Sequence, residues 1–350
     1  MTTVRFGRHA IGDGAPCFVI AEAGVNHNGD LGLAKKLVDA AAAAGADAVK
    51  FQTFTADRLA APSAPKAAYQ RATTGAAESQ LDMLRRLELS HAAHRELLAH
   101  CERQGILFMS SAFDEESADF LADDLGVALF KVPSGELTNL PFLAHLARTR
   151  RPLVVSTGMA TLDEVDAAVR TITTAGTRDL VLLHCVSNYP AAPADVNLRA
   201  MATMAAAFGV PVGYSDHTLG LEVALASVAL GARALEKHFT LDRTLPGPDH
   251  RASLEPDDLA ALVRGVRAVE ASLGHGRKEP AASEADTAAA ARKSVVAARD
   301  IPAGTRLTTD AITLRRPGTG LPPSMAPAVV GRTAARDIPA GTLIAREMLR

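Results

Sequence analysis

The chain has 350 residues, 48% hydrophobic and 22% charged, enough apolar mass for a large core and too much for a disordered polymer. Lys plus Arg number 37 against 39 Asp plus Glu, and the net charge of −2 leaves no footprint for nucleic acid. No apolar run reaches the roughly 18 residues that a membrane span needs.

The first residues, MTTVRFGRHAIGDG, lack the apolar core of a signal peptide. Cys17, Cys101 and Cys185 are too few and too far apart for a disulfide framework or a zinc site. Together these features predict a cytoplasmic protein.

Short apolar runs follow at residues 17–21, 48–52, 106–110, 128–132, 152–156, 180–184, 211–214 and 232–238. Several are apolar throughout, as expected of strands buried on both faces. Ala- and Leu-rich helical stretches separate them, for example at 31–44, 91–104, 163–174 and 219–230. Eight alternations predict an α/β fold, a (β/α)8 TIM barrel over residues 1–273. One interval is long and holds an insertion, residues 53–90, after the second strand.

Residues 274–292 are charged and without apolar periodicity, and read as a linker. Beyond them the octamer Ala-Arg-Asp-Ile-Pro-Ala-Gly-Thr occurs twice, at 298–305 and 335–342. An identical repeat inside residues 293–350 predicts a small, mostly-β module with pseudo-twofold symmetry. So short a tail is expected to have little core of its own and to lean on another surface.

In a parallel barrel the chemistry sits at the carboxyl ends of the strands. The strands here run in turn into Glu22, Lys50 with Gln52, Ser110 with Ser111, Lys131 with Ser134 and Glu136, and Ser156. The last three run into His184 with Cys185, Ser187 and Tyr189, then Ser215 with Asp216 and His217, then Glu236 with His238 and Asp249. Two ammonium groups and several hydroxyls around one mouth suit a phosphate or carboxylate, against the plainer reading of a solvated rim. His217 and His238 follow adjacent strands, so they either share one divalent ion or are separately satisfied polar residues. Glu22, next door once the barrel closes, would be a base beside such an ion, with Glu236 a weaker candidate. His27, His184 and His250 are weaker ligand candidates, and Cys185 reads as a small buried hydrophobe.

These segments also carry a family resemblance. The stretches IAEAGVNHNG (20–29), VKFQ (49–52), KVPSGE (131–136), STGM (156–159), GYSDHT (213–218) and EKHFT (236–240), followed by GPDH (247–250), resemble the sialic acid synthase, or N-acetylneuraminate synthase, family. The C-terminal repeat with RPGTG (316–320) resembles the antifreeze-like (SAF) domain that follows the barrel in that family. The resemblance implies condensation of phosphoenolpyruvate with an N-acylated amino sugar, N-acetylmannosamine or a close relative, to a nine-carbon 2-keto acid and phosphate. It assigns phosphoenolpyruvate to Lys50, Ser111, Lys131, Ser134, Ser156, Ser187 and Ser215, and a divalent metal (Mn2+ or Mg2+) to His217 and His238. It assigns the open-chain sugar to Gln52, Glu136, Tyr189 and Asp249, with Arg316 reaching over from the partner in a domain-swapped homodimer.

Ser111-Ala112 stands where the family often has Thr-Pro, and the hydroxyl is kept. Ser187 stands where some neuraminate synthases have Asn, and Ser-Asn-Tyr-Pro also occurs in relatives that make legionaminic acid. The acceptor is therefore open between N-acetylmannosamine and a diacetamido deoxyhexose of the legionaminate or pseudaminate type. A synthase acting on a phosphorylated aldose, a metal-dependent barrel hydrolase and an ice- or sugar-binding protein are the rival readings.

Overall fold

A computed structural model describes residues 3–75 and 77–350. A hairpin, β1 (Val4–Phe6) and β2 (His9–Ile11), comes first. The expected eight strands follow as β3 (Phe18–Gly24), β4 (Ala48–Thr53), β5 (Leu107–Ala112), β6 (Phe130–Val132), β7 (Leu153–Ser156), β8 (Leu180–Cys185), β9 (Val212–Asp216) and β10 (Ala234–His238). All eight pair in parallel and close on themselves, β10 meeting β3.

The strand period of two decides what faces the axis. Ile20, Ala48, Met109, Leu129, Val154, Val181, Leu183 and Ala234 form one apolar cluster, joined by Val4, Phe6 and Ile11 of the hairpin and by Phe18. Two residues beyond members of that set stand Glu22, Lys50, Ser111, Lys131, Ser156, Cys185 and Glu236. The same alternation that packs the lower barrel with aliphatics thus crowns it with polar groups. The opposite face of each strand (Val19, Ala21, Val49, Val155, Leu182, Tyr214, Leu235) packs against the surrounding helices.

Three of the expected helices appear nearly as read: Leu31–Ala43, His91–Gln104 and Leu162–Ala175. Each starts on a side-chain cap, Asp30, Ser90 or Thr161. The fourth is shorter, Glu222–Ala229, because Leu219 and Gly220 belong to a turn and Gly220 has φ +75°. The insertion folds into helices Ala56–Leu59, Ala68–Thr74 and Gln80–Leu87. Among the described residues no helix is long and apolar enough to cross a membrane.

The chain divides into two compact units, up to Gly274 and from His275 onward. Within the stretch read as a linker, Ala285–Ala291 is an exposed helix. Alanine favours helix with no buried face, so apolar periodicity could not reveal it.

In the second unit β11 (Ser294–Ala297) pairs antiparallel with β12 (Ile312–Arg315). The repeated octamers face each other: Ile301 and Ile338 exchange two backbone hydrogen bonds of 2.9 Å. Asp300 Oδ1 accepts from Ala340 N, and Asp337 Oδ1 accepts from Ala303 N, both at 2.7 Å. The reciprocity is the predicted pseudo-twofold. Contrary to expectation, this unit has a core of its own, including Val295, Ile301, Leu307, Val329, Ile338 and Ile344. The two copies interleave and so bury what neither could bury alone.

Candidate active site

A cavity of about 340 Å³ opens at the carboxyl ends of the barrel strands. Glu22, Lys50, Gln52, Ser111, Lys131, Ser134, Ser156, Ser187, Tyr189, Ser215, His217, His238 and Asp249 all line it. One predicted residue of the same unit does not. Glu136 stands outside the lining, its carboxylate accepting a 2.8 Å hydrogen bond from Asn139. Arg316 belongs to the second unit, where it is exposed and its Nε donates to Ala291 O at 3.0 Å.

The floor is a charge network fixed by strand register. Glu22 on β3 sits between Lys50 on β4 and His238 on β10. Lys50 Nζ lies 2.7 Å from Glu22 Oε2, 3.9 Å from Glu236 Oε2 and 3.2 Å from Ser111 Oγ. Lys131 Nζ lies 3.2 Å from Glu236 Oε1, which also accepts from Ser215 Oγ at 3.0 Å. All four charged side chains are at most 4% exposed.

The two carboxyls differ by environment. Burial raises the pKa of Glu22, outweighing Lys50, and the charge on Glu236 adds to the rise. For Glu236 burial acts the same way, but Lys131 and Lys50 overcome it and hold that carboxyl well below the usual range. The two ammonium groups thus hold Glu236 firmly ionised, while burial lifts Glu22 to about 7. Ser156 Oγ is buried on this floor and has no hydrogen-bond partner among the described residues. A buried hydroxyl left unpaired is a place for a ligand oxygen. Gly158 completes the cradle: a Cβ there would lie 2.3 Å from Ser187 Oγ and 2.9 Å from Ser134 Oγ, so only glycine lets those hydroxyls converge.

If these ammonium groups hold an anionic substrate, removing one should weaken binding. Lys131→Ala is expected to raise KM for that anionic substrate about tenfold to a hundredfold, the range for a lost charge-assisted hydrogen bond. Steady-state kinetics at saturating acceptor measures it.

Beside the floor is the histidine corner. His217 and His238 have ring centroids 5.3 Å apart. His217 Nδ1 donates to Val186 O at 2.7 Å, which leaves Nε2 as the free coordinating atom. Burial above all holds the pKa of His238 well below the ordinary value and keeps the ring neutral. His238 Nδ1 is buried without a hydrogen bond among the described residues and lies 4.0 Å from Asp249 Oδ2. Burial holds Asp249 itself up to about 6. Two imidazoles, one oriented by a backbone carbonyl and one with an orphaned nitrogen, fit a divalent ion. Among the described residues no set of three or more His, Cys, Asp or Glu suits a metal, so such an ion would complete its shell from water or substrate.

Among the weaker candidates, His184 Nε2 bonds Val196 O and His250 Nδ1 pairs with Thr240 Oγ1. His27 Nδ1 accepts from Gly29 N, and its buried Nε2, without a partner among the described residues, stands outside the cavity lining. Ser110 turns away to Thr53 Oγ1 at 2.7 Å. Cys185 is buried, but its Sγ lies 3.6 Å from Ser134 Oγ and 3.7 Å from His217 Nδ1, so it belongs to the polar network. The sequence reading missed Tyr69, Gln70, Met83, Leu84 and Leu87, which line the cavity from the insertion. Their only sequence signal was the length of that interval.

Fold and site together define a (β/α)8-barrel enzyme with an anion-binding floor and a two-histidine corner. The chain belongs to the NeuB family, whose profile matches residues 37–278, and it carries a SAF domain over residues 292–350. It is 49% identical over 324 residues to the N,N'-diacetyllegionaminic acid synthase of Legionella pneumophila, covering 91% of each chain. It is 48% identical over 305 residues to the N,N'-diacetyllegionaminic acid synthase of Campylobacter jejuni, covering 87% of this chain and 91% of the other. Among solved structures it resembles the N-acetylneuraminic acid (sialic acid) synthetase of Leptospira borgpetersenii in complex with citrate. That match has a TM-score of 0.72 and 35% identity and covers 82% of this chain and 95% of the other. Relatives named as synthases remove the ice-binding reading: the chain is an enzyme.

Proposed function

We propose that the enzyme condenses phosphoenolpyruvate with an open-chain N-acylated amino sugar, forming a nine-carbon 2-keto sugar acid and releasing phosphate. The carrying observation is the floor, where Lys50 and Lys131 converge with Ser111, Ser134, Ser156 and Ser215 beside the His217–His238 corner. A diacetamido deoxyhexose is the favoured acceptor, because the relatives at 49% and 48% identity are both named N,N'-diacetyllegionaminic acid synthases.

The lysines and hydroxyls hold the phosphate and carboxylate of phosphoenolpyruvate, and so fix its C3 toward the histidine corner. Gln52, Tyr189 and Asp249 hold the sugar with its aldehyde carbon against C3. C3 attacks that carbon, and C2 becomes cation-like. Glu22, as carboxylate, takes a proton from a water that adds to C2. The alkoxide left on the former aldehyde carbon takes up the proton released from the water. The C2–O bond to phosphate then breaks, the new C2 hydroxyl gives its proton to the departing phosphate, and the 2-keto acid is formed. His217 and His238 would hold a divalent cation, which supplies Lewis-acid stabilisation of the negative charge developing on the aldehyde oxygen.

The test is phosphate release from phosphoenolpyruvate with each of three acceptors: a diacetamido deoxyhexose, N-acetylmannosamine and its 6-phosphate. Release that requires an acceptor and is fastest with the diacetamido sugar supports the reading. Phosphate release without an acceptor, or none with any acceptor, overturns it.

The SAF domain and Arg316 extend the proposal to a domain-swapped dimer. Donation from Nε to Ala291 O steadies the Arg316 stem, and a planar guanidinium suits the acyl oxygen of a sugar. Mixing inactive Lys50→Ala and Arg316→Ala proteins, then allowing subunit exchange, should return each mixed dimer toward half of wild-type activity. One site of the mixed dimer would then carry both lesions and the other neither. No recovery after proven exchange would mean that each tail serves its own barrel.

A further inference from the structure

The insertion, residues 53–90, belongs to no barrel repeat, yet it builds one wall of the cavity. Helix Gln80–Leu87 turns Met83 and Leu87 inward, buried at 1% and 6% exposure, and leaves Leu84 half-buried between them. Val25 and Phe113 extend this apolar surface along the cavity. From helix Ala68–Thr74, Tyr69 lies against Tyr189 with ring centroids 5.0 Å apart and planes tilted by 31°, and Tyr189 lies against His217 at 4.1 Å with a tilt of 42°.

Cations of the segment are committed elsewhere: Arg58 pairs with Glu116, and Arg71 donates to Lys66 O. Lys66 Nζ is held by Glu78 Oε2 and Thr74 Oγ1, both at 2.9 Å. Arg86 pairs with Glu78 at 2.7 Å and Arg85 with Asp57 at 2.5 Å. Among the described residues of the segment, those lining the cavity are Ala67, Tyr69, Gln70, Met83, Leu84 and Leu87, none of them charged.

The wall is also anchored. Gly29, at φ +77°, lies so close to the helix that a Cβ would meet Arg86 O at 2.5 Å. Thr73 Oγ1 donates to Pro248 O at 3.3 Å, and Ala56 N donates to Glu88.

Condensation sets the direction of the acceptor. Its aldehyde carbon must lie at the floor, so the rest of the sugar has to leave along Tyr189 toward Tyr69 and this wall. We propose that Tyr69, Met83, Leu84 and Leu87 read the end of the acceptor remote from the aldehyde, selecting a methyl-ended deoxy sugar over one ending in hydroxymethyl or phosphate. An aliphatic wall gains by covering a methyl group. It leaves a hydroxyl without a partner, and it offers a phosphate no cation. The aromatic pair provides a flat face for the C–H side of the sugar chain. The inference rests on the condensation reading of the floor.

The experiment compares the 6-deoxy and 6-hydroxy forms of one N-acylated hexose by kcat/KM. For wild-type enzyme the 6-deoxy form should lead by about tenfold or more, the scale set by one small group in an apolar pocket. Leu84→Asn should cut that ratio about tenfold with KM for phosphoenolpyruvate unchanged, while Leu84→Met keeps it. Tyr69→Ala, at a half-buried position that tolerates truncation, should raise acceptor KM about tenfold and leave phosphoenolpyruvate alone. An unchanged ratio in Leu84→Asn, or unchanged acceptor KM in Tyr69→Ala, overturns the proposal. No phosphate release with either sugar would instead sink the condensation reading. Calorimetric binding of the two sugars to wild type and Leu84→Asn would then supply the same ratio, and equal ratios would overturn the wall's role.

Discussion

Glu22→Gln is expected to lower kcat about a thousandfold while KM for phosphoenolpyruvate changes less than about threefold, since general-base catalysis is commonly worth a hundredfold to ten-thousandfold. The amide is nearly isosteric and can still meet Lys50 Nζ, 2.7 Å from Oε2 in the wild type. The floor is retained and only the proton acceptor is lost. The acting form is the carboxylate, and burial favours the neutral acid at this position. Activity should therefore fall as pH drops through the raised pKa of Glu22, and the Gln variant should lack that acid limb. Glu236→Gln should behave differently, because this carboxylate counters Lys131 at 3.2 Å and accepts from Ser215 at 3.0 Å. Its loss is expected to disturb the floor and phosphoenolpyruvate affinity. If Glu22→Gln kept its kcat while Glu236→Gln lost it, the two roles would be exchanged.

Chelation is expected to abolish condensation, and added Mn2+ or Mg2+ to restore it. With only two imidazoles to hold the ion, binding should be weak enough for EDTA to reverse. Lewis-acid stabilisation of several kcal/mol corresponds to about a thousandfold or more in rate, and His217→Ala should lose as much. Titration of Mn2+ by electron paramagnetic resonance gives a readout apart from activity: His217→Ala and His238→Ala should each weaken binding at least about tenfold. The buried Lys237 Nζ to Asp216 Oδ2 pair, at 2.7 Å, and the Thr218 amide on Asp216 Oδ1, at 2.9 Å, brace the turn that carries His217. The alanine variants should therefore remain folded. Full activity in metal-free protein would remove the metal from the mechanism.

The sequence by itself determined the eight strands, the closing α/β barrel and the polar crown, because local rules generate them. Apolar runs mark strands buried on both faces, and a period of two carries the interior position from Ala48 to Lys50 and from Leu129 to Lys131. The octamer repeat determined the twofold of the C-terminal module, since identical segments present identical partners, as Asp300 and Asp337 do. Only the tertiary structure decided which carboxyl titrates high and which low. That choice depends on distances across strands, 3.2 Å and 3.9 Å from the two lysines to Glu236, which no spacing within the chain encodes. It also took Glu136 out of the cavity, because a single 3-10 turn, Ser134–Glu136, rotates it toward Asn139. Packing brought in Tyr69, Met83, Leu84 and Leu87 as well: a segment outside the repeat follows no strand-end rule, and where its helices come to rest is set by long-range contacts such as Gly29 against Arg86.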